Sequence, residues 1–422
     1  MKILFIVPGS GDPFYCGNCF RDNQQANALR KAGLDVVVMP LYLPLKDRSF
    51  LADAPLFFPA TSFFLSQKYF KQKALPRWLE RALGSGPALR LAASFSGTTS
   101  AEGLEQMTLS MIAGSDEVFE RQSDALLEWI GGHGRPDVVH LSSSLISGVG
   151  RRIKEHTGLP VVCSLQDEEV WIDGLKKPWA EAAWEGIAAN MLYIDSLTVS
   201  SEFYRRVAER RFAPPPPVHV VYPGFDTERY ASASYPPDPT LGFFYRTNEA
   251  NGLDILAGAF VQVKRSGRLP RLRLRIGGGS TSADRPFLRK VRRMLAPFRE
   301  DVDWCEGYRP EDHAAFYGSV SAVCVPIRFE ESVGLYLCEA FAAGRPAIEP
   351  RTGSFPEITG EAGLLYEPND SRRLAAAIEE MFTADGLWEQ CRDRALQLSA
   401  SRYNHAVLAA SLYRIYEDLL QK

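Results

Sequence analysis

Short apolar runs alternate with longer amphipathic stretches over most of this chain. Residues 2–7 carry five consecutive apolar side chains after one lysine, the pattern of a strand covered on both faces. A loop rich in Gly, Pro and Cys follows, then 21–32 predicts a helix and 35–39 a second strand, completing a βαβ unit. Similar runs at 137–141, 160–164 and 196–200, separated by helical stretches, extend the same α/β sheet. Four prolines at 214–217 and the Pro-rich segment 235–239 mark a stiff, non-helical boundary. Beyond it the pattern restarts, with a strand at 242–246, a helix at 253–264 and a strand at 271–276. In that last strand Arg271, Arg273 and Arg275 alternate with Leu272, Leu274 and Ile276, so one face is basic, and Gly277 to Gly279 form a loop at its carboxyl end. A solvated edge is the plainer reading of the stripe, and a phosphate contact the alternative. Apolar residues at Val407, Leu408, Leu412, Ile415 and Leu419 make 406–420 an amphipathic helix. Residues 41–125 hold neither period and predict an irregular, Pro-rich and aromatic insertion.

Composition narrows this α/β picture. A length of 422 residues with 45% hydrophobic content suits two or three well-packed domains, and a net charge of −3 gives no electrostatic case for nucleic acid. Seven scattered cysteines form no paired framework and point to a reducing, cytoplasmic compartment. Cys16 and Cys19 read as small residues in a tight turn, with redox chemistry or half of a zinc site as the alternative. The apolar start is short and runs into Pro8-Gly9, so it reads as a first strand and not a signal peptide. No run approaches the roughly 18 apolar residues of a membrane span. Basic residues interleaved with aromatics over 57–90, such as Lys68-Tyr69 and Arg77-Trp78, leave two readings: a packed insertion, or peripheral contact with the inner face of a membrane or a lipid-linked acceptor.

Candidate chemistry concentrates in 329–346, where Glu331 and Glu339 bracket seven small or apolar residues. Ser332 is a plausible N-cap, Leu335, Cys338, Ala342 and Ala343 repeat at helical spacing, and Gly344 with Pro346 stops the helix. Eight helical residues rise about 12 Å, too far for the roughly 5 to 9.5 Å of a hydrolase carboxylate pair. The two carboxylates therefore suit opposite ends of one long ligand. Amides at the helix start, Ser332 to Leu335, favour a phosphate or pyrophosphate between them, and a nucleotide-sugar has that shape. The glycines of the first loop are not at Gly-x-Gly-x-x-Gly spacing, which argues against NAD.

The series Glu331-Ser332-Val333-Gly334-Leu335, Glu339-Ala340 and Ala343-Gly344-Arg345-Pro346 resembles the signature of retaining GT-B glycosyltransferases, most like family 4. The resemblance is strong over about 240–370, fair over 1–40 and 135–230, and poor over 45–130. It implies two Rossmann-like domains facing across a cleft: 1–225 on the acceptor side, joined by a C-terminal helix at about 400–422, and 240–398 for the donor. It implies that Glu331 faces the donor sugar and Glu339 the ribose. It places Gly17, Asn18 and the amides of Ser332, Val333, Gly334 and Leu335 near the phosphates, and Tyr308 and Arg309 near the base. Gln166 stands where many members carry histidine, beside Asp167 and Glu168 as candidate sugar or acceptor contacts. Asn251 stands where a lysine usually neutralises the diphosphate, leaving Arg246 as the main guanidinium for that charge.

Function is expected to be retaining, metal-independent transfer of a sugar from a nucleotide-sugar to a hydroxyl of a glycan, lipid-linked or small acceptor, with no further cofactor. Cell-envelope glycan or glycolipid synthesis is the expected setting. A nucleotide-sugar epimerase and a non-catalytic nucleotide-sugar-binding subunit, the latter suggested by Asn251 and Gln166, are the alternatives.

Overall fold

The computed structural model describes residues 1–9, 17–42, 45, 52–59, 104–230, 235–305 and 312–422. Two six-stranded, wholly parallel sheets carry the chain. The first contains β1 (Lys2–Val7), β2 (Asp35–Pro40), β3 (Val138–Leu141), β4 (Val161–Ser164), β5 (Ser196–Val199) and β6 (Val218–Val220), in the order β2-β1-β3-β4-β5-β6. The second contains β7 (Thr240–Phe244), β8 (Arg273–Gly277), β9 (Val302–Cys305), β10 (Ala322–Val323), β11 (Ala347–Pro350) and β12 (Gly363–Tyr366), in the order β12-β11-β10-β7-β8-β9. Strand order reverses between β1 and β3 in one sheet and between β7 and β10 in the other. Loops leaving the carboxyl ends of strands diverge at such points and open a crevice, where ligands of doubly wound folds bind.

Helices cover both faces of each sheet because crossover connections between parallel strands return over them. Helix Gly17–Lys31 joins β1 to β2, and Leu253–Ser266 joins β7 to β8. The segment read as irregular contains two helices, Glu105–Ala113 and Glu117–Gly132. The second starts at an Asp116 cap and buries Val118, Phe119, Leu126 and Ile130, a helical period lost among polar neighbours in the sequence. Most of the aromatic and basic stretch read as either a packed insertion or a membrane contact, 57–90, lies outside the described residues. No helix among the described residues is long and apolar enough to cross a membrane.

The final helix, His405–Leu420, belongs spatially to the first sheet. Its Leu408, Leu412, Ile415 and Tyr416 pack with Ile3, Phe5 and Val7 of β1. Buried His140 ties it down, with Nδ1 2.5 Å from the Tyr416 hydroxyl and Nε2 2.8 Å from Ser164 Oγ. Burial depresses the His140 pKa to about 3, so the ring works as a neutral hydrogen-bonding strut. The chain thus passes between the domains twice, and the two crossings touch. Phe225 N–H donates to the Tyr403 carbonyl (3.1 Å) and His405 N–H to the Phe225 carbonyl (3.1 Å), a parallel bridge between Phe225 and Asn404. Gly224 permits this approach, since a Cβ there would lie 2.3 Å from the Asn404 carbonyl oxygen.

Candidate active site

The loop after β10 leads into helix Leu335–Ala342, every residue of which is buried. Gly334, at φ +63°, is its N-cap, a backbone state that L side chains rarely adopt. The expected cap, Ser332, is therefore displaced by two residues, and Glu331 does the capping work. Glu331 Oε1 accepts the Gly334 N–H at 3.3 Å, and its Oε2 accepts the Tyr245 hydroxyl at 3.4 Å. Burial raises the Glu331 pKa, while the amides that follow it pull it back.

Freed from capping, the Ser332 hydroxyl reaches the other domain and donates to Asp167 Oδ2 at 2.6 Å. Its carbonyl accepts from Ser201 Oγ at 2.5 Å. Asp167 follows β4 and, at φ 59°, has the one positive φ among the described non-glycine residues. Tyr204 holds it there, its hydroxyl oxygen accepting the Asp167 N–H at 3.0 Å. A left-handed aspartate costs of order 1 kcal/mol or more, and here it aims a carboxyl across the cleft. Burial first, and then the charge of Glu331, raise the Asp167 pKa well above the usual carboxylate range. Two carboxyls from different domains thus share one small volume with a seryl hydroxyl, and ionising both is unfavourable.

A second polar cluster backs this one. Gln166 Nε2 donates to Asp22 Oδ1 at 2.7 Å, and the Asn18 amide donates to the Gln166 carbonyl at 3.4 Å. Asp22 is buried, and burial lifts its pKa to about 7. Next to it, Arg21 is buried and donates to the Leu165 carbonyl at 3.2 Å. These two residues escaped the sequence reading. The signal was available: five polar residues, Arg21 to Gln25, run consecutively where a crossover helix ordinarily alternates with apolar ones. All five are buried, in the middle of the helix Gly17–Lys31.

Other candidates are placed differently from their expected roles. Glu168 spends its oxygens inside the protein, accepting from Ser143 Oγ (3.0 Å), Ser144 N–H (2.9 Å) and Gln166 N–H (2.7 Å). It locks the loops after β3 and β4 together. Asn251 is buried, and its amide donates to the Arg246 carbonyl at 2.8 Å, shaping the turn after β7. The Arg246 guanidinium lies 3.4 Å from both Thr281 Oγ1 and Asp284 Oδ2. Glu339 is fully buried: Oε1 accepts the Tyr230 hydroxyl at 2.7 Å and lies 2.5 Å from His313 Nδ1, and Oε2 accepts the Tyr317 hydroxyl at 3.5 Å. Tyr308 and Arg309 lie outside the described residues. Among the described residues no group of three His, Cys, Asp or Glu side chains could hold a metal. Cys19 is disulfide-bonded, contrary to the expectation of unpaired thiols, and Cys16 lies outside the described residues. Cys163, Cys305, Cys324, Cys338 and Cys391 are free.

Two family models match this chain. "Glycosyl transferase 4-like domain" covers residues 23–224, and "Glycosyl transferases group 1" covers 238–384. A D-inositol 3-phosphate glycosyltransferase of Corynebacterium jeikeium is 26% identical over 219 residues, 48% of this chain and 52% of the relative. The chain thus spans about half the length of that relative. An MMP alpha-(1->4)-mannosyltransferase of Mycolicibacterium hassiacum is 24% identical over 345 residues, 76% of this chain and 79% of the relative. Among solved structures, a sucrose-phosphate synthase from Thermosynechococcus elongatus superposes with a TM-score of 0.71 at 17% identity, covering all of both chains. An Anabaena protein, HepE, solved with UDP and glucose, superposes at 0.66 with 15% identity, covering 99% of each chain. With one model on each domain, the chain belongs to the group 1, family 4-like glycosyltransferases, and it has the GT-B fold.

Proposed function

We propose that the chain transfers a glycosyl group from a nucleoside diphosphate sugar to an acceptor hydroxyl with retention at the anomeric carbon. The observation that carries this reading is the cluster of Glu331, Ser332 and Asp167, built by the loop after β10 in one domain and the loop after β4 in the other. Glu331, on the donor side, orients the sugar. The amides from Ser332 to Leu335 and the Arg246 guanidinium receive the diphosphate, doing the work of the lysine replaced by Asn251. Asp167 and Gln166, on the facing domain, contact the sugar or the entering hydroxyl.

In the reaction the bond between the anomeric carbon and the phosphate oxygen breaks, with its electron pair going to the diphosphate. The acceptor oxygen bonds to the same face of the carbon, and its proton passes to the departing phosphate oxygen. Charge builds on the diphosphate, so fixed amides and a guanidinium suffice and no metal is required. A structural neighbour solved with UDP and a relative named as a GDP-mannose-dependent mannosyltransferase support a panel of UDP- and GDP-sugars as donors. The test is nucleotide release from each donor with and without a lipid-linked or soluble glycan acceptor. Release that depends on acceptor and disappears in Arg246→Ala is the expected result. Conversion of the donor alone identifies an epimerase, and binding without turnover of any donor identifies a non-catalytic subunit.

A further inference from the structure

Away from the cleft, at the amino ends of β7 and β8, lies an open cavity of about 740 Å³. The basic face of β8, Arg273 and Arg275, forms its floor with Asp303 of β9, and helix His313–Gly318 forms a wall together with Arg229 and the segment 235–238. Its acidic residues are already satisfied. Asp303 pairs with Arg273 at 3.4 Å, and Asp238 pairs with Arg271. Two of its cations are not. Among the described residues the Arg275 guanidinium hydrogen-bonds only to the thiol of Cys305, at 3.2 Å, and the Arg229 guanidinium has no hydrogen bond or ion pair. A half-buried guanidinium with a thiol for its only acceptor is a poorly matched donor, because its fork suits carboxylate or phosphate oxygens.

The walls of this cavity are also the supports of Glu339. Helix His313–Gly318 turns His313 and Tyr317 toward that carboxylate, and Ala314, Ala315 and Gly318 toward the cavity. Arg229 lines the cavity, while the adjacent Tyr230 donates to Glu339. We infer that this cavity binds a small phosphorylated molecule through Arg229 and Arg275, and that its occupancy is transmitted through helix His313–Gly318 to Glu339 and so to helix Leu335–Ala342, whose starting amides receive the diphosphate in the proposed donor site. The transmission rests on the proposed donor site, whereas binding to the cavity does not.

Titration calorimetry on the full chain with ribose 5-phosphate, inorganic phosphate and uncharged ribose tests the site. The expected result is binding of ribose 5-phosphate that weakens roughly tenfold or more in the Arg229→Gln/Arg275→Gln variant, as loss of charge-assisted hydrogen bonds requires, and survives in Arg246→Ala. Equal binding of inorganic phosphate assigns the site to the free ion, and weaker binding assigns it to the ester. Absence of binding by either anion, an unchanged affinity in the double variant, or loss in Arg246→Ala overturns the site. An unchanged thermal midpoint for the double variant confirms that it folds. Nucleoside diphosphate affinity is expected to change a few-fold when ribose 5-phosphate saturates the cavity, and to alter ribose 5-phosphate affinity by the same factor. No change sinks the transmission. If no nucleotide binds at all, the donor reading fails while the phosphate titration still decides the cavity.

Discussion

Glu331 and Asp167 were separate candidates along the chain, and their meeting gives each a measurable property. With Glu331 replaced by Gln, one cause of the high Asp167 pKa disappears, while burial and the charge of Glu169 remain. Carbon-13 carboxyl NMR should then find Asp167 titrating at lower pH than in the native chain. On the proposed reaction, Glu331→Gln is also expected to lower kcat by about a hundredfold, with nucleotide affinity held within a few-fold, a split read from initial rates and titration. Asp22 governs a different pH dependence. Its pKa is about 7 in the folded chain against an ordinary 3.8, so between those pH values the native state keeps a proton that the unfolded state has lost. Stability contributed by this group is therefore fully present below about pH 4 and falls as pH rises to about 7, by at most about 4 kcal/mol. Asp22→Asn, which copies the neutral form, should flatten the fall of the thermal midpoint across that range and raise the midpoint at pH 8. A steeper fall in the variant contradicts this account.

At the scale of elements, one carboxylate links two helices of different domains. Glu357, on the short helix Phe355–Thr359, accepts the N–H groups of Glu202 (2.7 Å) and Phe203 (2.9 Å) and the Tyr222 hydroxyl (2.7 Å). It thereby caps helix Glu202–Arg211 from across the cleft, where the helix dipole favours negative charge. Glu357→Ala should cost about 1–3 kcal/mol and enlarge the solution envelope, since the domains lose a latch. A midpoint within error of the native chain and an unchanged scattering radius would sink that expectation. Elements of this kind were legible to different degrees. Strands such as β1, β2, β4 and β8 were found from short, mostly apolar runs, because a parallel strand covered on both faces leaves little room for polar residues, whereas β6, β9, β11 and β12 were not named. The helices at 105–113 and 117–132 were missed because their buried residues are spaced among many charges beside an aromatic stretch with no clear period. Ser332 was read as a cap because Ser is common there, but a left-handed glycine two residues later supplied the cap geometry instead.

For the whole molecule, the sequence carried the two halves of the candidate site but not their relation. Glu331 with its following amides was conspicuous as a local motif, whereas the contact between Asp167 and Ser332 joins residues 165 positions apart and depends on how two domains face. Glu339 illustrates the converse. Its place on a helix was legible, although that helix starts at Leu335 and leaves Glu331 outside it, and its burial among Tyr230, His313 and Tyr317 comes from other segments. The facing itself depends on the paired crossings at Phe225 and Asn404. Gly224→Val, by forcing these strands apart, should lower kcat more than it weakens nucleotide binding, as rates and titration on the same preparation would show. One strand alone would act as a swivel. Two strands bonded side by side act as a flat leaf spring, which bends readily about one axis and resists torsion, so opening the cleft to exchange nucleotide need not scramble its alignment. Each closure would bring Asp167 back to Ser332, and on the proposed reaction the same face of the sugar would be offered to the acceptor every time.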